Sequence, residues 1–263
     1  MKIAIISATS TIGQAAARNW AKKFEATQPA AANQNVETSA LGSTLEFVLV
    51  GRNQASLEAI AADLKVRAPR VSTTVSAIDM TDQEQIEAAV GSFGQLDIAL
   101  ICQGELTDQA TAQSDSKALQ NSIEINAVSP ALFAEAIARK FETQGFGRLA
   151  IIGSVAGDRG RKSNYSYGAS KAFLATYGQG LVHRFAATKV AVLLIKPGPT
   201  ASKMTLSLSN PPAKLADANL VAAQIVSAID AEKRGVVYTP PIWAIIMLIV
   251  RSIPGVIFHR LNL

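Results

Sequence analysis

A chain of 263 residues, 49% hydrophobic and 17% charged, is too apolar for disorder and long enough for one large α/β domain or two small ones. Its single cysteine, Cys102, excludes a disulfide framework and fits a reducing, cytoplasmic setting. The net charge of +5 suits anionic partners such as nucleotides or lipid head groups. The Lys and Arg residues are scattered, however, with no aromatic-studded basic block to read nucleic acid, and no metal site is read from the pattern.

The first segment, "MKIAIISATS", holds a charge and a short apolar run but leads straight into a strand–turn–helix pattern, so it reads as a core strand and not a signal peptide. A strand is expected over residues 2–7 and a helix over 13–24, joined by "SATSTIG" at 7–13. Residues 26–44, "ATQPAAANQNVETSALGST", are polar and rich in small residues, and read as a solvent-exposed surface insertion. Strands follow at 46–51, 71–77, 98–102, 148–154 and 190–196, alternating with amphipathic stretches at 53–65, 82–93, 116–140 and 167–186. Strands separated by crossover helices imply parallel pairing and right-handed βαβ units. Runs of Val, Ile and Leu without clear alternation suit a sheet covered on both faces. The expected fold is a doubly wound α/β domain over residues 1–235 followed by an apolar tail, 236–263. Within that tail 242–250 is strongly apolar, but Arg251 and Pro254 interrupt it well short of the ~20 residues of a membrane span. Three readings stay open for it: a buried core segment, an oligomer contact, or a monotopic helix in a bilayer surface.

The most specific chemical signal is "NYSYGASKAF", 164–173. Tyr167 and Lys171 stand four apart on an expected helix and share one face. A nearby ammonium favours tyrosinate and is expected to lower the phenol pKa. Tyr165 lacks this partner, since Ala169 stands four residues on. Thirteen residues before Tyr167, at a strand end, Ser154 can hydrogen-bond a substrate carbonyl; as a bland alternative it caps the strand end. Where the second strand ends, "LVGRNQ" puts Gly51 in the position that an acidic residue takes against an NAD ribose. Arg52 follows, a planar fork suited to the 2′-phosphate of NADP; alternatively it is a solvated charge.

Ser154, Tyr167 and Lys171 at this spacing, behind a doubly wound N-terminal half, resemble the catalytic set of the short-chain dehydrogenase/reductase family, over nearly the whole chain. The resemblance implies that Asn126, in "IEINAVSPALF", is the helix asparagine whose backbone carbonyl holds a water linking the lysine to solvent. It makes Gln103 and Gly104 of "LDIALICQG" the remnant of an Asn-Asn-Ala-Gly motif. Pro197, Gly198 and Thr200 in "KPGPTASKMT" resemble the segment that closes over the nicotinamide, with Ser202 where a threonine is common. Asp79 resembles the aspartate beside the adenine pocket, with the Met80 amide next to it, or else is a helix N-cap. In "SATSTIG" two of three expected glycines are replaced, by Ser7 and Thr11, while Gly13 remains. Thr9, Ser10, Thr11 and Ile12 are expected around the phosphates at the helix N-terminus. Because Ser7 and Thr11 carry a Cβ, both are expected at negative φ.

The activity implied is NADP(H)-dependent hydride transfer between a ketone and a secondary alcohol, with Tyr167 as general acid/base. The phosphate turn and tail are similar to a branch that reduces a 2-keto sugar on a polyprenyl phosphate at the inner face of the cell membrane. Two other readings are a soluble carbonyl or 3-ketoacyl reductase and a non-catalytic dinucleotide-sensing protein. Homo-oligomers are the family default, paired through the helices at 116–140 and 167–186.

Overall fold

In a computed structural model the described residues are 1–27, 44–208, 212 and 214–261; the predicted insertion lies mostly outside them. Seven parallel strands form one sheet in the order β3-β2-β1-β4-β5-β6-β7: β1 Lys2–Ile6, β2 Leu45–Gly51, β3 Val71–Ala77, β4 Ile98–Ile101, β5 Gly147–Ile152, β6 Val190–Pro197 and β7 Gly235–Thr239. The order reverses between β1 and β4, which opens a crevice at their C-terminal ends. Because side chains alternate along each strand, Ile3 and Ile5 enter one core while Ala4 and Ile6 enter the other. The unbroken apolar runs follow from this two-sided burial.

One face is covered by α1 (Thr11–Thr27), α2 (Gln54–Arg67) and α9 (Ala218–Asp230), which bring Trp20, Leu57, Leu64 and Ile225 into its core. The opposite face carries α3 (Gln83–Ser92), α6 (Ser129–Gln144) and α7 (Tyr165–Arg184), with Val90, Phe133, Phe141 and Leu174. The expected helix 116–140 is three pieces: α5 (Ser116–Ile123), one π-helical turn at Glu124–Val128, and α6 with Pro130 in its first turn. Of the short helices, α8 (Lys203–Leu206) meets the start of α1 through Thr11, and α4 (Gln109–Ser114) meets α7 through Ser166.

The C-terminal third differs from the expectation. Asp217 caps α9 by accepting from the amides of Asn219 and Leu220 at 2.8 and 2.9 Å, a helix absent from the predicted set. Residues 235–239 pair with β6, so the start of the predicted tail is the seventh strand. Beyond it lie α10 (Ile242–Ser252) and α11 (Gly255–Phe258). The buried-core reading of the tail fails: Met247 is buried, while Ile242, Ile245, Leu248 and Ile249 are each more than half exposed.

Candidate active site

Ser154 stands just past β5 with extended backbone, its hydroxyl accepting from the Ala156 amide at 3.0 Å. It therefore does cap the chain there, starting a 3-10 turn at Val155–Asp158. That turn presses against α7 through two glycines. A Cβ on Gly157 would lie 2.7 Å from backbone atoms of Lys171 and Ala172, and one on Gly168 would lie 2.9 Å from the Ala156 carbonyl. This close approach brings the half-buried Tyr167 within hydrogen-bonding reach of Ser154. Lys171, one turn along, is buried; its Nζ lies 5.8 Å from the Tyr167 ring centroid and donates to the carbonyls of Gln103 (3.1 Å) and Ile152 (3.4 Å). Tyr165, by contrast, is exposed and pairs with Gln113.

The electrostatics correct one expectation. Burial pushes the Tyr167 phenol above its ordinary value, against the pull of the Ser154 hydroxyl. Lys171 bears the cost of its own burial, which brings it down to about 8. Desolvation outweighs the Ser154 hydrogen bond, so at neutral pH Tyr167 is a protonated phenol, the form that can donate.

Asn126 sits fully buried in the π-helical turn, where the extra residue breaks the regular ladder of backbone bonds. Its side chain accepts from the Glu105 amide (3.0 Å) and donates to the Ser122 carbonyl (2.9 Å). Gly104 keeps space for this junction, since a Cβ there would lie 3.1 Å from both Asn126 Oδ1 and Lys171 Nζ. Gln103 donates to Ser129 (2.7 Å), which in turn donates to the Met80 carbonyl. Sequence reasoning missed Ser129, although it lies on the same segment as Asn126. The Gln103 Oε1 is buried and without a hydrogen-bond partner, so the end of β4 has an acceptor waiting for a donor.

At the phosphate turn, Ser10 caps α1 by accepting from Gly13 at 3.0 Å. Its hydroxyl also faces Cys102, whose thiol burial pushes up to about 12. Gly13 packs against Ile5 and Cys102, where a Cβ would lie 3.3–3.4 Å away. The Thr9 carbonyl accepts from the Gln14 side chain at 2.9 Å, Ile12 is partly buried against the core, and Thr11 accepts from the Lys203 amide of α8 at 3.3 Å. Thr11 has no positive φ, but Ser7 lies at φ +61°, contrary to the expectation. The cause is tertiary: the Ala8 amide continues the sheet by donating to Val50 while the Ser10 amide reaches back to the Ser7 carbonyl, so the chain reverses within Ser7. Serine here adopts the left-handed conformation that the replaced glycine would take.

Gly51 ends β2 buried against Leu57, and Arg52 is exposed beside it. Thr81 donates its amide and hydroxyl to Asp79 at 2.9 and 2.7 Å and holds that carboxyl below its ordinary value, with the Arg52 charge adding to the effect. Asp79 is thus not the cap of α3; Asp82 is, accepting from Gln85 at 3.0 Å.

The far wall was largely invisible in the sequence. Asp158, at the end of the Ser154 turn, pairs with Lys196 of β6 and accepts from Tyr238 of β7 at 2.8 Å, the ion pair's side chains being 2% and 7% exposed. Gly198 donates to the Thr239 carbonyl at 3.0 Å, and Thr200 to Gly198 at 2.9 Å. Trp243 lies so close to Gly198 that no side chain fits there. Ser202 caps α8 by accepting from Thr205 at 3.3 Å. Arg159 donates to the carbonyls of Val250 and Ile253, both at 2.6 Å, and its guanidinium lies 3.7 Å from the Phe258 ring centroid. The catalytic turn and the tail are thereby tied together.

Among the described residues no group of three or more His, Cys, Asp or Glu could hold a metal ion. The fit for a dinucleotide is favourable: the crevice has a helix N-terminus at one end, an arginine without a neighbouring acid at position 51, and the partnerless Gln103 acceptor on its floor.

The sequence model of the short chain dehydrogenase family matches residues 38–212. An uncharacterized oxidoreductase of Streptomyces coelicolor is 30% identical over 224 residues, 81% of this chain and 84% of its own length. One from Mycobacterium tuberculosis is 28% identical over 228 residues, 84% and 89% of the two chains. Among solved structures, a short-chain dehydrogenase from Sphingobium yanoikuyae in complex with NADPH superposes with a TM-score of 0.77 at 20% identity, covering 97% of this chain and 96% of its own. An actinorhodin polyketide ketoreductase variant with NADPH gives 0.73 at 18%, covering 90% and 95%. Both share the fold. With the family's sequence model covering most of its length and the Ser154, Tyr167 and Lys171 side chains brought together behind the switch point, this chain belongs to the short-chain dehydrogenase family of oxidoreductases.

Proposed function

We propose that the protein reduces a ketone to a secondary alcohol with NADPH, Tyr167 acting as the proton donor. The observation that carries this reading is the Ser154–Tyr167–Lys171 cluster, with a protonated phenol at its centre and a buried lysine behind it. NADPH, when bound, supplies the hydride accepted by the carbonyl carbon. Ser154 donates a hydrogen bond to the carbonyl oxygen, and Tyr167 gives its proton to that oxygen as negative charge develops. Lys171, charged below about pH 8, stabilises the tyrosinate left behind. Arg52 beside Gly51 supports NADP over NAD, since nothing acidic at position 51 repels a 2′-phosphate. The NADPH-bound structures of the same fold support the same choice. Consumption of NADPH against a panel of ketones tests the reading; a protein that binds NADPH and reduces none is a dinucleotide sensor.

The proposed substrate is a lipid-linked 2-keto sugar, met at the cytoplasmic face of the cell membrane. The tail supports this. Ile242, Ile245, Leu248 and Ile249 form one exposed apolar stripe on α10, continued by Val256 and Ile257, with exposed Arg251, His259 and Arg260 at its end. Such a face suits shallow insertion beside anionic head groups. Among the described residues no helix is long and apolar enough to cross a membrane. Co-sedimentation with anionic vesicles, lost in Ile245→Glu/Leu248→Glu, supports the membrane reading. A soluble carbonyl reductase shows no sedimentation. A homo-oligomer through the helical stretch 116–140 and α7 is supported by exposed Ile123, Val128 and Phe173, and light scattering measures it.

A further inference from the structure

Between Ser154 and Tyr167 the chain runs "VAGDRGRKSNYS". Two arginines in this loop have different fates. Arg159 is committed to the tail through its carbonyl bonds and Phe258. Arg161 is only partly exposed, and its Nε is shut away from water with no hydrogen-bond partner. The carboxylate that acts on it is Asp158, but both Asp158 oxygens are taken, one by Lys196 and the other by Tyr238. Three residues on, Asn164 stands at the N-terminal end of α7 without capping it, and its Oδ1 is buried and unpartnered as well. The Asn164 amide donates to the Arg161 carbonyl at 3.1 Å, so the two side chains belong to one tight turn.

A guanidinium nitrogen shut away from water with no acceptor is costly, and burial pulls the Arg161 pKa below its ordinary value against the pull of Asp158. Asp158 is fixed to β6 and β7 near their C-terminal ends, the ends of the strands at which Ser154 follows β5 and Gly198 follows β6. Arg161 is thus within electrostatic reach of Asp158, on the loop that joins Ser154 to Tyr167. We infer that Arg161 is the anion-holding residue of the substrate site: the ketone carries a phosphate that takes the guanidinium fork, and a donor on the same molecule, such as a hydroxyl, meets Asn164 Oδ1. A planar fork suits phosphate oxygens better than a point charge does. This rests on the ketoreductase reading and adds to it the chemical class of the substrate, a phosphorylated hydroxyketone.

The test titrates dihydroxyacetone phosphate and its uncharged twin dihydroxyacetone into the full-length protein saturated with NADPH, which also blocks the dinucleotide's own phosphate contacts. Binding heat and NADPH oxidation are followed separately. The phosphorylated twin is expected to bind at least about 10-fold more tightly. Arg161→Met is expected to abolish that preference and Arg161→Lys to keep part of it. Dodecyl phosphate added as competitor distinguishes the sources: displacement of dihydroxyacetone phosphate points to a lipid phosphate, and its failure to displace points to a free phosphate ester. Equal binding of the twins by the unaltered protein, binding of neither, or an undiminished preference in Arg161→Met overturns the inference. An Arg161→Met that weakens both twins equally also overturns it, as that is a structural role. If the variant does not fold, the twin comparison on the unaltered protein decides. Phosphate-dependent binding without NADPH oxidation by any ketone of the panel refutes the ketoreductase reading alone.

Discussion

Replacing Lys196 with Met removes one partner of the Lys196–Asp158 pair and leaves its volume nearly filled. Both side chains are almost wholly buried, at 7% and 2% exposure, and Asp158 keeps the Tyr238 hydroxyl at 2.8 Å as a donor. An uncompensated buried carboxylate costs about 3–5 kcal/mol. At about 2–4 °C per kcal/mol for a chain of this size, the melting temperature should fall by about 6–20 °C. Tyr238 already shows the field of this site: burial, with the Asp158 carboxylate adding to it, pushes its phenol up to about 12. Adding Asp158→Asn should recover much of the loss, because an amide can still accept from Tyr238 and needs no counter-charge. Urea denaturation of the four proteins in a double-mutant cycle measures the coupling. A loss below about 1 kcal/mol for Lys196→Met, or a double variant less stable than the single one, would refute this account of the wall.

Other consequences are equally direct. Lys171 has a folded pKa near 8 against an ordinary 10.5, so between those values the folded protein binds fewer protons there than the unfolded chain. Stability should therefore rise with pH across that window, the burial penalty being fully present below about pH 8. Subtracting the curve of Lys171→Met isolates the effect, and a flat difference contradicts it. At Ser7, φ +61° favours glycine: Ser7→Gly should hold or raise stability by up to about 1 kcal/mol, and Ser7→Val should lower it by about 1–2 kcal/mol. Chemical denaturation checks both, and a Val variant as stable as the parent contradicts the strain. At Arg52, replacement by Ala should weaken NADPH binding about 10-fold or more and leave NADH binding close to its starting value; fluorescence titration reads the two cofactors, and an unchanged NADPH affinity would mean a solvated charge.

Much of this was legible because a parallel sheet buried on both faces writes itself as short apolar runs, and Tyr167 and Lys171 are close in sequence as well as space. What was not legible depends on distant partners. Asp158 and Lys196 are 38 positions apart and meet only because β5 and β6 are neighbours. Ser7 takes its left-handed backbone from the strand bond to Val50, which no local pattern announces. Residues 235–239 read as the start of a tail because the same apolar character serves an edge strand and an exposed helix. The tail's apolar run left a core segment, an oligomer contact and a membrane-surface helix open, and only the fold shows that α10 turns Met247 inward and Ile242, Ile245 and Ile249 outward. The direction of the Tyr167 pKa was missed because spacing shows a nearby charge but not the depth of burial.

In the proposed reaction Tyr167 hands its proton to the reduced carbonyl. A single-turnover experiment with NADPH deuterated at the transferred position, run on the parent and on Tyr167→Phe, tests it most directly. Deuterium is expected at the carbinol carbon with the parent, and a loss of about 10²–10⁴ in rate for the variant with NADPH affinity close to unchanged. A Tyr167→Phe protein that transfers deuterium at the parental rate would contradict it.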